Sequence, residues 1–213
     1  MSTPTTESGM IADPGPLGLA AFAGTTFVLS VFNANLITDQ KLVAVVLPLA
    51  LFYGGLGQLL AGMWEFRKGN TFGATAFTSY GAFWLAYAAY AKYVAPGLPA
   101  STAHQATGLF LLMWAVFTVY MAIAATRTTG AILAVFVTLA ATFIVLCIAE
   151  FAQSPNTAKA GGWIGLVTAA CAWYASFAGV TNSTYQRPVL PVFPNIGERL
   201  RPHRGGPVAG VHA

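Results

Sequence analysis

Uncharged hydrogen-bonding side chains recur in parts of this sequence that otherwise carry almost no charge. Around the short charged turn 65–70, the apolar flanks hold five of them, namely Gln58, Thr75, Thr78, Ser79 and Tyr80. Such donors and acceptors can line a route for a polar solute. They can equally hold helices together, because small and polar residues also mediate helix contacts inside membranes. The residues alone leave both interpretations open.

Further candidates repeat with helical spacing, so that each set shares one face of a helix. The sets are Phe22, Thr26, Ser30 and Asn33; Tyr80, Trp84 and Tyr87; and Leu139, Thr142, Leu146 and Glu150, with Trp114 and Thr118 on a separate span. The first set favours a pore-lining face because most of its members are polar, with a packing stripe as the alternative. Glu150 is expected at the outer end of its helix, in water.

The residues needed for catalysis do not occur in the apolar stretches. These stretches contain no paired acids, histidine cluster or activated nucleophile, and no nucleotide-binding loop or metal-ligand cluster is found. We therefore expect no enzyme activity, no cofactor and no metal. Cys147 and Cys171 fall inside apolar runs, which is typical of small core residues and not of a disulfide.

The elements that must position these side chains are membrane helices. Of 213 residues, 56% are hydrophobic and 8% are charged, whereas a soluble domain has about 25% charged residues. The long apolar runs predict an all-α polytopic membrane protein with six transmembrane helices. The predicted spans are Leu17–Ile37, Lys41–Trp64, Phe72–Tyr93, Gln105–Thr126, Thr129–Phe151 and Gly161–Thr184, with loops at 94–104 and 152–160.

The composition predicts a disordered segment 1–12, a six-helix domain 13–185 and a disordered, Pro/Arg-rich cytoplasmic tail 186–213. Asp13 is suited to cap the first helix, since its carboxylate can accept from the unpaired amides there.

The basic residues are distributed unequally between the two sides that six spans define. Seven of the ten lie on the side of both termini: Arg67, Lys68, Arg127, Arg187, Arg199, Arg201 and Arg204. The opposite side has Lys41, Lys92 and Lys159. Because cytoplasmic loops are enriched in Lys and Arg, we expect a multi-pass protein of the cell membrane with both termini in the cytoplasm.

The sequence resembles the acetate uptake transporter family, also called succinate–acetate permeases, over about residues 13–193. The resemblance is most specific in the central signature, which stands here as Phe52-Tyr53-Gly54-Gly55, Gln58, Ala61-Gly62, Glu65, Lys68-Gly69-Asn70-Thr71-Phe72-Gly73, Thr75-Ala76-Phe77-Thr78-Ser79-Tyr80-Gly81 and Phe83-Trp84. Trp114, Phe117-Thr118, 162–166 and 189–191 also fit. The family's entrance motif begins with asparagine, but here Asp13 takes its place and puts a negative charge near the mouth.

The resemblance implies a homo-hexamer with one pore in each six-helix protomer, similar in architecture to proton-gated urea channels. It also implies an apolar constriction, which matches Phe22, Tyr80 and Leu139 here. With the faces above, the expected substrate pathway comprises Phe22, Thr26, Ser30, Asn33, Gln58, Thr75, Thr78, Ser79, Tyr80, Tyr87, Trp114, Thr118, Leu139 and Thr142, with Asp13 at the entrance.

These observations predict a transporter or channel for acetate and related small carboxylates, including succinate. Hydroxyl, amide and indole donors can bind a carboxylate without a buried cation that would hold it too tightly. Two alternatives stay open: a pore for small neutral solutes such as urea, amides or ammonia, and a non-transporting structural membrane subunit. The lipid bilayer and the transported solute are the expected partners, and no nucleic acid is expected.

Overall fold

The computed structural model describes residues 11–194, which form six long helices. They are α1 (Gly15–Asn33), α2 (Gln40–Lys68), α3 (Thr71–Ala89), α4 (Ala103–Ala125), α5 (Gly130–Phe151) and α6 (Pro155–Thr184). No strand occurs among the described residues. The predicted all-α fold with six long helices is therefore confirmed.

Five of the helices, α1, α2, α4, α5 and α6, are long and apolar enough to cross a membrane. The exception is α3, whose hydropathy is lowered by the polar residues Thr75, Thr78, Ser79 and Tyr80. At about 1.5 Å per residue, its 19 residues still approach the thickness of a hydrocarbon core, about 30 Å. We treat α3 as the sixth span because it is packed into the bundle.

Helix α2 changes its winding along its length. It starts as 3₁₀ turns, passes Pro48 and continues as π-helix over Leu49–Gly57 before ending as α-helix. A proline cannot donate to the helix ladder, and local 3₁₀ or π-helical turns are one way in which a membrane helix accommodates such a break. A second π-helical segment, Tyr90–Val94, extends α3.

Side-chain caps fix several helix starts. The Asn70 carboxamide oxygen accepts from the Gly73 amide at 3.1 Å, and the Thr129 hydroxyl accepts from the Ile132 amide at 3.3 Å. The Ser154 hydroxyl accepts from the Thr157 amide at 3.4 Å, directly before a proline in the first turn. Because of this cap, α6 starts at Pro155 and not at Gly161, and the prediction of a loop over 152–160 is wrong for most of its length.

The turn between α2 and α3 is shorter than the sequence indicated. Helix α2 continues to Lys68 and stops at Gly69, whose left-handed backbone (φ 79°) suits a residue without Cβ. Glu65 therefore lies within the helix and is only 1% exposed, so its prediction as a turn residue is wrong.

Small residues let neighbouring helices approach closely. A Cβ at Gly62 would lie 3.0 Å from the Thr78 Cα and closer still to its hydroxyl and amide, so α2 and α3 touch there. A Cβ at Gly165 would meet the hydroxyl of Ser30, which brings α6 against α1. The backbone neighbours run α3–α2–α1–α6–α5–α4. Helices α3 and α4 then meet through aromatic and hydroxyl side chains.

Candidate functional site

A cavity of about 230 Å³ opens at the end of the bundle away from the termini, and we call it the far-side cavity. Helices α1, α3, α4 and α5 all contribute to its wall. The lining residues are Phe22, Thr26, Leu29, Ser30, Asn33, Phe83, Trp84, Tyr87, Tyr90, Thr107, Phe110, Leu111, Leu139, Thr142, Phe143, Leu146 and Glu150. The cavity thus combines an aromatic wall with hydroxyl, amide and indole groups and with the carboxyl group of Glu150.

Two buried polar groups of this cavity have no hydrogen-bond partner among the described residues. They are the Thr26 hydroxyl and the Trp84 indole N–H. Burying a polar group without a partner costs free energy, and a bound solute with acceptor oxygens would supply the missing partner. By contrast, Thr142 donates to the Thr138 carbonyl at 2.9 Å and lies 3.2 Å from the Thr168 hydroxyl.

A second cavity, of about 490 Å³, lies at the end of the bundle that carries the termini, and we call it the terminal-side cavity. Helices α1, α3 and α5 all begin there. Its charged lining residues are Asp13, Glu65, Lys68 and Arg127. It is therefore the more highly charged of the two cavities.

The charged groups of the terminal-side cavity are held by specific contacts. Lys68 Nζ lies 2.8 Å from the Asp13 carboxylate, which also accepts from the Gly15 amide at 3.0 Å. The predicted cap therefore takes a modified form: the N-cap position itself is Pro14, and Asp13 acts from one residue earlier. The buried Glu65 carboxylate accepts from the Asn70 side-chain amide at 2.8 Å.

A layer of buried side chains separates the two cavities. Phe22, Tyr80 and Leu139 are each at most 4% exposed, and the Phe22 and Tyr80 rings lie 5.8 Å apart. Phe22 and Leu139 line the far-side cavity, whereas Leu19 and Phe136, three residues earlier on the same helices, line the terminal-side cavity. Three residues span about 4.5 Å of helix, so the linings of the two cavities are roughly one helical turn apart along α1 and α5. We call these three residues the barrier layer.

The Tyr80 hydroxyl is already hydrogen-bonded within the barrier layer. It lies 2.9 Å from the Thr118 hydroxyl, and Thr118 donates to the Trp114 carbonyl at 2.7 Å. A hydroxyl has one proton, so Thr118 must accept from Tyr80. The rings of Phe117, Trp114 and Phe136 surround Tyr80 at centroid distances of 5.3 to 6.1 Å.

The predicted pathway residues fall into three groups. Half of them line the far-side cavity: Phe22, Thr26, Ser30, Asn33, Tyr87, Leu139 and Thr142. Tyr80, Trp114 and Thr118 form or adjoin the barrier layer. The remaining four, Gln58, Thr75, Thr78 and Ser79, line neither cavity. Gln58 is 1% exposed, and Thr78 packs against Gly62. The Gln58 carbonyl oxygen and the Thr78 hydroxyl are buried without a hydrogen-bond partner among the described residues.

Several lining residues were not predicted from the sequence. Phe83, Tyr90, Thr107, Phe110 and Phe143 complete the far-side wall, and Tyr90 and Thr107 share a hydrogen bond of 2.7 Å. Their spacing gives no separate signal, because they meet only when α4 docks on α3. Within residues 11–194, no group of three or more His, Cys, Asp or Glu side chains is placed to hold a metal ion.

Comparisons with known proteins agree with one another. Acetate permease A of Emericella nidulans is 42% identical over 206 residues, which cover 87% of this chain and 67% of that protein. Ammonia transport outward protein 2 of Saccharomyces cerevisiae is 42% identical over 188 residues, covering 86% of this chain and 66% of that protein. The succinate-acetate/proton symporter SatP of Escherichia coli is 38% identical over 182 residues, covering 85% of this chain and 95% of SatP. The chain thus spans about two thirds of the fungal relatives and nearly all of SatP.

The fold leads to the same relatives. The solved structure of the bacterial acetate channel SatP matches with a TM-score of 0.79 at 37% identity, over 86% of this chain and 99% of that one. The model of the GPR1/FUN34/yaaH family matches residues 2–195. The family model therefore covers all the residues that line the two cavities, and the chain belongs to the GPR1/FUN34/yaaH family.

Proposed function

We propose that this protein carries acetate and related small carboxylates across a membrane, through the two cavities and the barrier layer between them. The observation that carries the proposal is the arrangement itself, in which cavities at opposite ends are separated by about one helical turn of side chains. A short apolar barrier excludes water and limits solute size without binding the solute tightly. The names of acetate permease A and SatP support acetate as substrate and succinate as a second one.

The chemistry of the far-side cavity suits a carboxylate. Thr26 and Trp84 offer donors that lack partners among the described residues, and the aromatic wall accommodates a methyl group. Among residues 11–194, no lysine or arginine lines this cavity, so a carboxylate would be held by neutral donors alone. Such weak binding favours rapid release, which conduction requires.

Transport of ammonia is a second candidate function. Ammonia transport outward protein 2 is as similar to this chain as acetate permease A. Ammonia is small and neutral, and the far-side wall, in which Glu150 is the one acidic residue among those described, would not exclude it. The two functions make different demands on the barrier layer, because only a carboxylate must lose the hydration of a charge there.

We further propose that the protein is a hexamer in the cell membrane with one pathway in each protomer and both termini in the cytoplasm. The hexamer rests on the resemblance, and the orientation rests on the positions of the basic residues. Mass measurement in nanodiscs tests the hexamer, and a monomer there would contradict it.

Uptake into liposomes that contain only this protein tests the proposed function. We expect labelled acetate to enter faster than into protein-free liposomes, with unlabelled succinate as a competitor. Ammonia-induced internal alkalinisation is recorded in the same preparation. Faster ammonia but not acetate movement would favour the second candidate, and no acceleration of either solute would contradict both.

A further inference from the structure

The chain does not leave the bundle where α6 ends. Residues 189–193, which we call the strap, turn back and are fastened by Asn182. The Asn182 carboxamide oxygen accepts from the amides of Val189 and Leu190, each at 2.8 Å, and its NH₂ group donates to the Leu190 carbonyl at 2.9 Å. One side chain therefore makes three hydrogen bonds to the strap backbone. These residues belong to the predicted disordered tail 186–213, of which residues 195–213, like residues 1–10 of the predicted N-terminal segment, lie outside the described residues.

Further hydrogen bonds hold the C-terminal part of the strap to α5 and α6. The Tyr174 hydroxyl donates to the Pro191 carbonyl at 2.6 Å. The amides of Gly130 and Ala131 donate to the carbonyls of Phe193 and Val192, at 2.6 and 3.1 Å. These are among the amides that a helix leaves unpaired at its start, so the strap completes the beginning of α5.

The fit of the strap on α5 is close. A Cβ at Gly130 would lie 2.9 Å from the Phe193 Cβ, so the absence of a side chain there lets the strap reach the helix. Val192 and Pro194 then form part of the wall of the terminal-side cavity. Asn182 itself does not line that cavity and can act on it only through the strap.

We infer that Asn182 is a positioning residue for the terminal-side mouth of the pathway, because it holds the strap against α5. With the strap in place, Val192 and the adjoining Pro194 form one side of the cavity, and the first two amides of α5 are hydrogen-bonded. This inference rests on the proposed transport function for its meaning, but its structural part can be tested without transport. Size selection belongs to the barrier layer and should not depend on the strap.

The test compares Asn182→Ala with Asn156→Ala, the same substitution at an exposed asparagine in the first turn of α6. Both are made in a C147A/C171A background that carries I132C, because Ile132 lines the terminal-side cavity. Purified protein in nanodiscs is labelled with a small thiol reagent, and labelled acetate and lactate fluxes are measured on the same variants in liposomes. Asn182→Asp serves as a graded variant, since it keeps the acceptor oxygen and loses the donor.

Losing three hydrogen bonds should raise the equilibrium constant for opening of the strap by at least about tenfold. We expect Asn182→Ala to accelerate labelling by that factor and to change acetate flux, with the acetate-to-lactate ratio unchanged. Asn182→Asp should lie between Asn182→Ala and the parent, which keeps the test decisive if Asn182→Ala does not fold. Labelling equal to that of Asn156→Ala, or faster labelling with unaltered acetate flux, would overturn the inference. Absence of acetate transport in the parent protein would instead refute the proposed function and leave the labelling result interpretable.

Discussion

The hydrogen bond of Tyr80 determines what this residue can offer a solute in the barrier layer. The Tyr80 hydroxyl donates to Thr118, because the Thr118 hydroxyl donates its own proton to the Trp114 carbonyl. The Tyr80 hydroxyl is therefore a donor that must exchange Thr118 for the solute. The net gain from binding a carboxylate is accordingly smaller than for an unpaired hydroxyl.

Tyr80→Phe should slow acetate transport by about tenfold, since a carboxylate in the barrier layer loses a charge-assisted hydrogen bond worth about 1.5–3 kcal/mol, less the exchanged bond to Thr118. Stability should change little, because Thr118 keeps its bond to the Trp114 carbonyl. Initial rates of labelled acetate uptake measure the effect. Tyr90→Phe is the control, since Tyr90 bonds to Thr107 in the same way but outside the barrier layer. Equal slowing in both variants would contradict a special role for Tyr80.

Leu139→Ala should admit larger acids, because shortening this side chain widens the barrier layer without leaving a polar group unpaired. We expect the ratio of lactate to acetate flux to rise. Some stability should also be lost, since Leu→Ala in a core costs about 2–5 kcal/mol. Val137→Ala, at a 53% exposed position of the same helix, is the control. If Leu139 is an ordinary core residue, the melting temperature will fall and the flux ratio will stay constant.

Asp13→Asn should increase acetate uptake at low ionic strength, by about twofold to tenfold if the mouth charge acts over the Debye length of about 8–10 Å. The substitution leaves Lys68 without its carboxylate partner, which makes the mouth more positive. Stability should change little, since an exposed ion pair is worth about 0–1 kcal/mol. Asp39→Asn is the control, because Asp39 also accepts a hydrogen bond from a backbone amide but lines neither cavity. An unchanged flux at all salt concentrations would leave only the capping role of Asp13.

At the scale of helices, close contacts at glycine position the pathway. Gly62 brings α2 against Thr78 of α3, and α3 carries Tyr80 two residues further on. The spacing of Gly54, Gln58 and Gly62, every fourth residue of α2, is typical of such contacts. The same contact places Thr78 at the interface of α2 and α3, and Gln58 is buried without lining either cavity.

Gly62→Ala should lower the stability of the protein by about 1–3 kcal/mol, because the new methyl group overlaps the Thr78 hydroxyl and backbone and forces the helices apart. Thermal unfolding in one detergent measures this. Gly57→Ala is the matched control on the same helix, where the nearest atom would be 3.5 Å away. A smaller loss for Gly62→Ala than for Gly57→Ala would show that the two helices can separate without cost.

The parts of the site that could be predicted are faces of single helices, whose residues repeat with the helical period. The face of Phe22, Thr26, Ser30 and Asn33 lines one cavity, as a 3.6-residue period requires once α1 is a helix. The start of α6 was missed although Ser154 and Pro155 are a typical cap and first-turn pair. Glu65 was misplaced because its burial depends on where α2 stops.

The unpredicted remainder depends on contacts between distant segments. The aromatic wall from α4 exists only because Phe110 packs against Phe83, at a ring distance of 5.8 Å. The strap likewise depends on Asn182 meeting a backbone seven to eight residues later. A backbone contact of this kind leaves no hydrophobic period in the sequence, so pattern reasoning assigned the segment to a disordered tail.

At the scale of the molecule, the two ends of the bundle differ in charge. The described basic residues at the terminal side are Arg67, Lys68, Arg127 and Arg187, and those at the far side are Lys41, Lys92 and Lys159. Arg199, Arg201 and Arg204 lie outside the described residues but follow Pro194, a wall residue of the terminal-side cavity. The excess of basic residues therefore lies at the end where the larger, more highly charged cavity opens.

This imbalance predicts that the terminal-side cavity faces the cytoplasm, because basic segments near membrane helices are retained on that side. The test uses single cysteines in the C147A/C171A background, with G205C in the tail and A100C in the exposed loop before α4. In intact cells, a membrane-impermeant thiol reagent should label A100C and leave G205C unlabelled. Permeabilised cells should show labelling of both, which controls for the reactivity of each thiol. The reverse pattern in intact cells would place both termini outside and would require the carboxylate to meet the paired charges of Asp13 and Lys68 at the outer mouth.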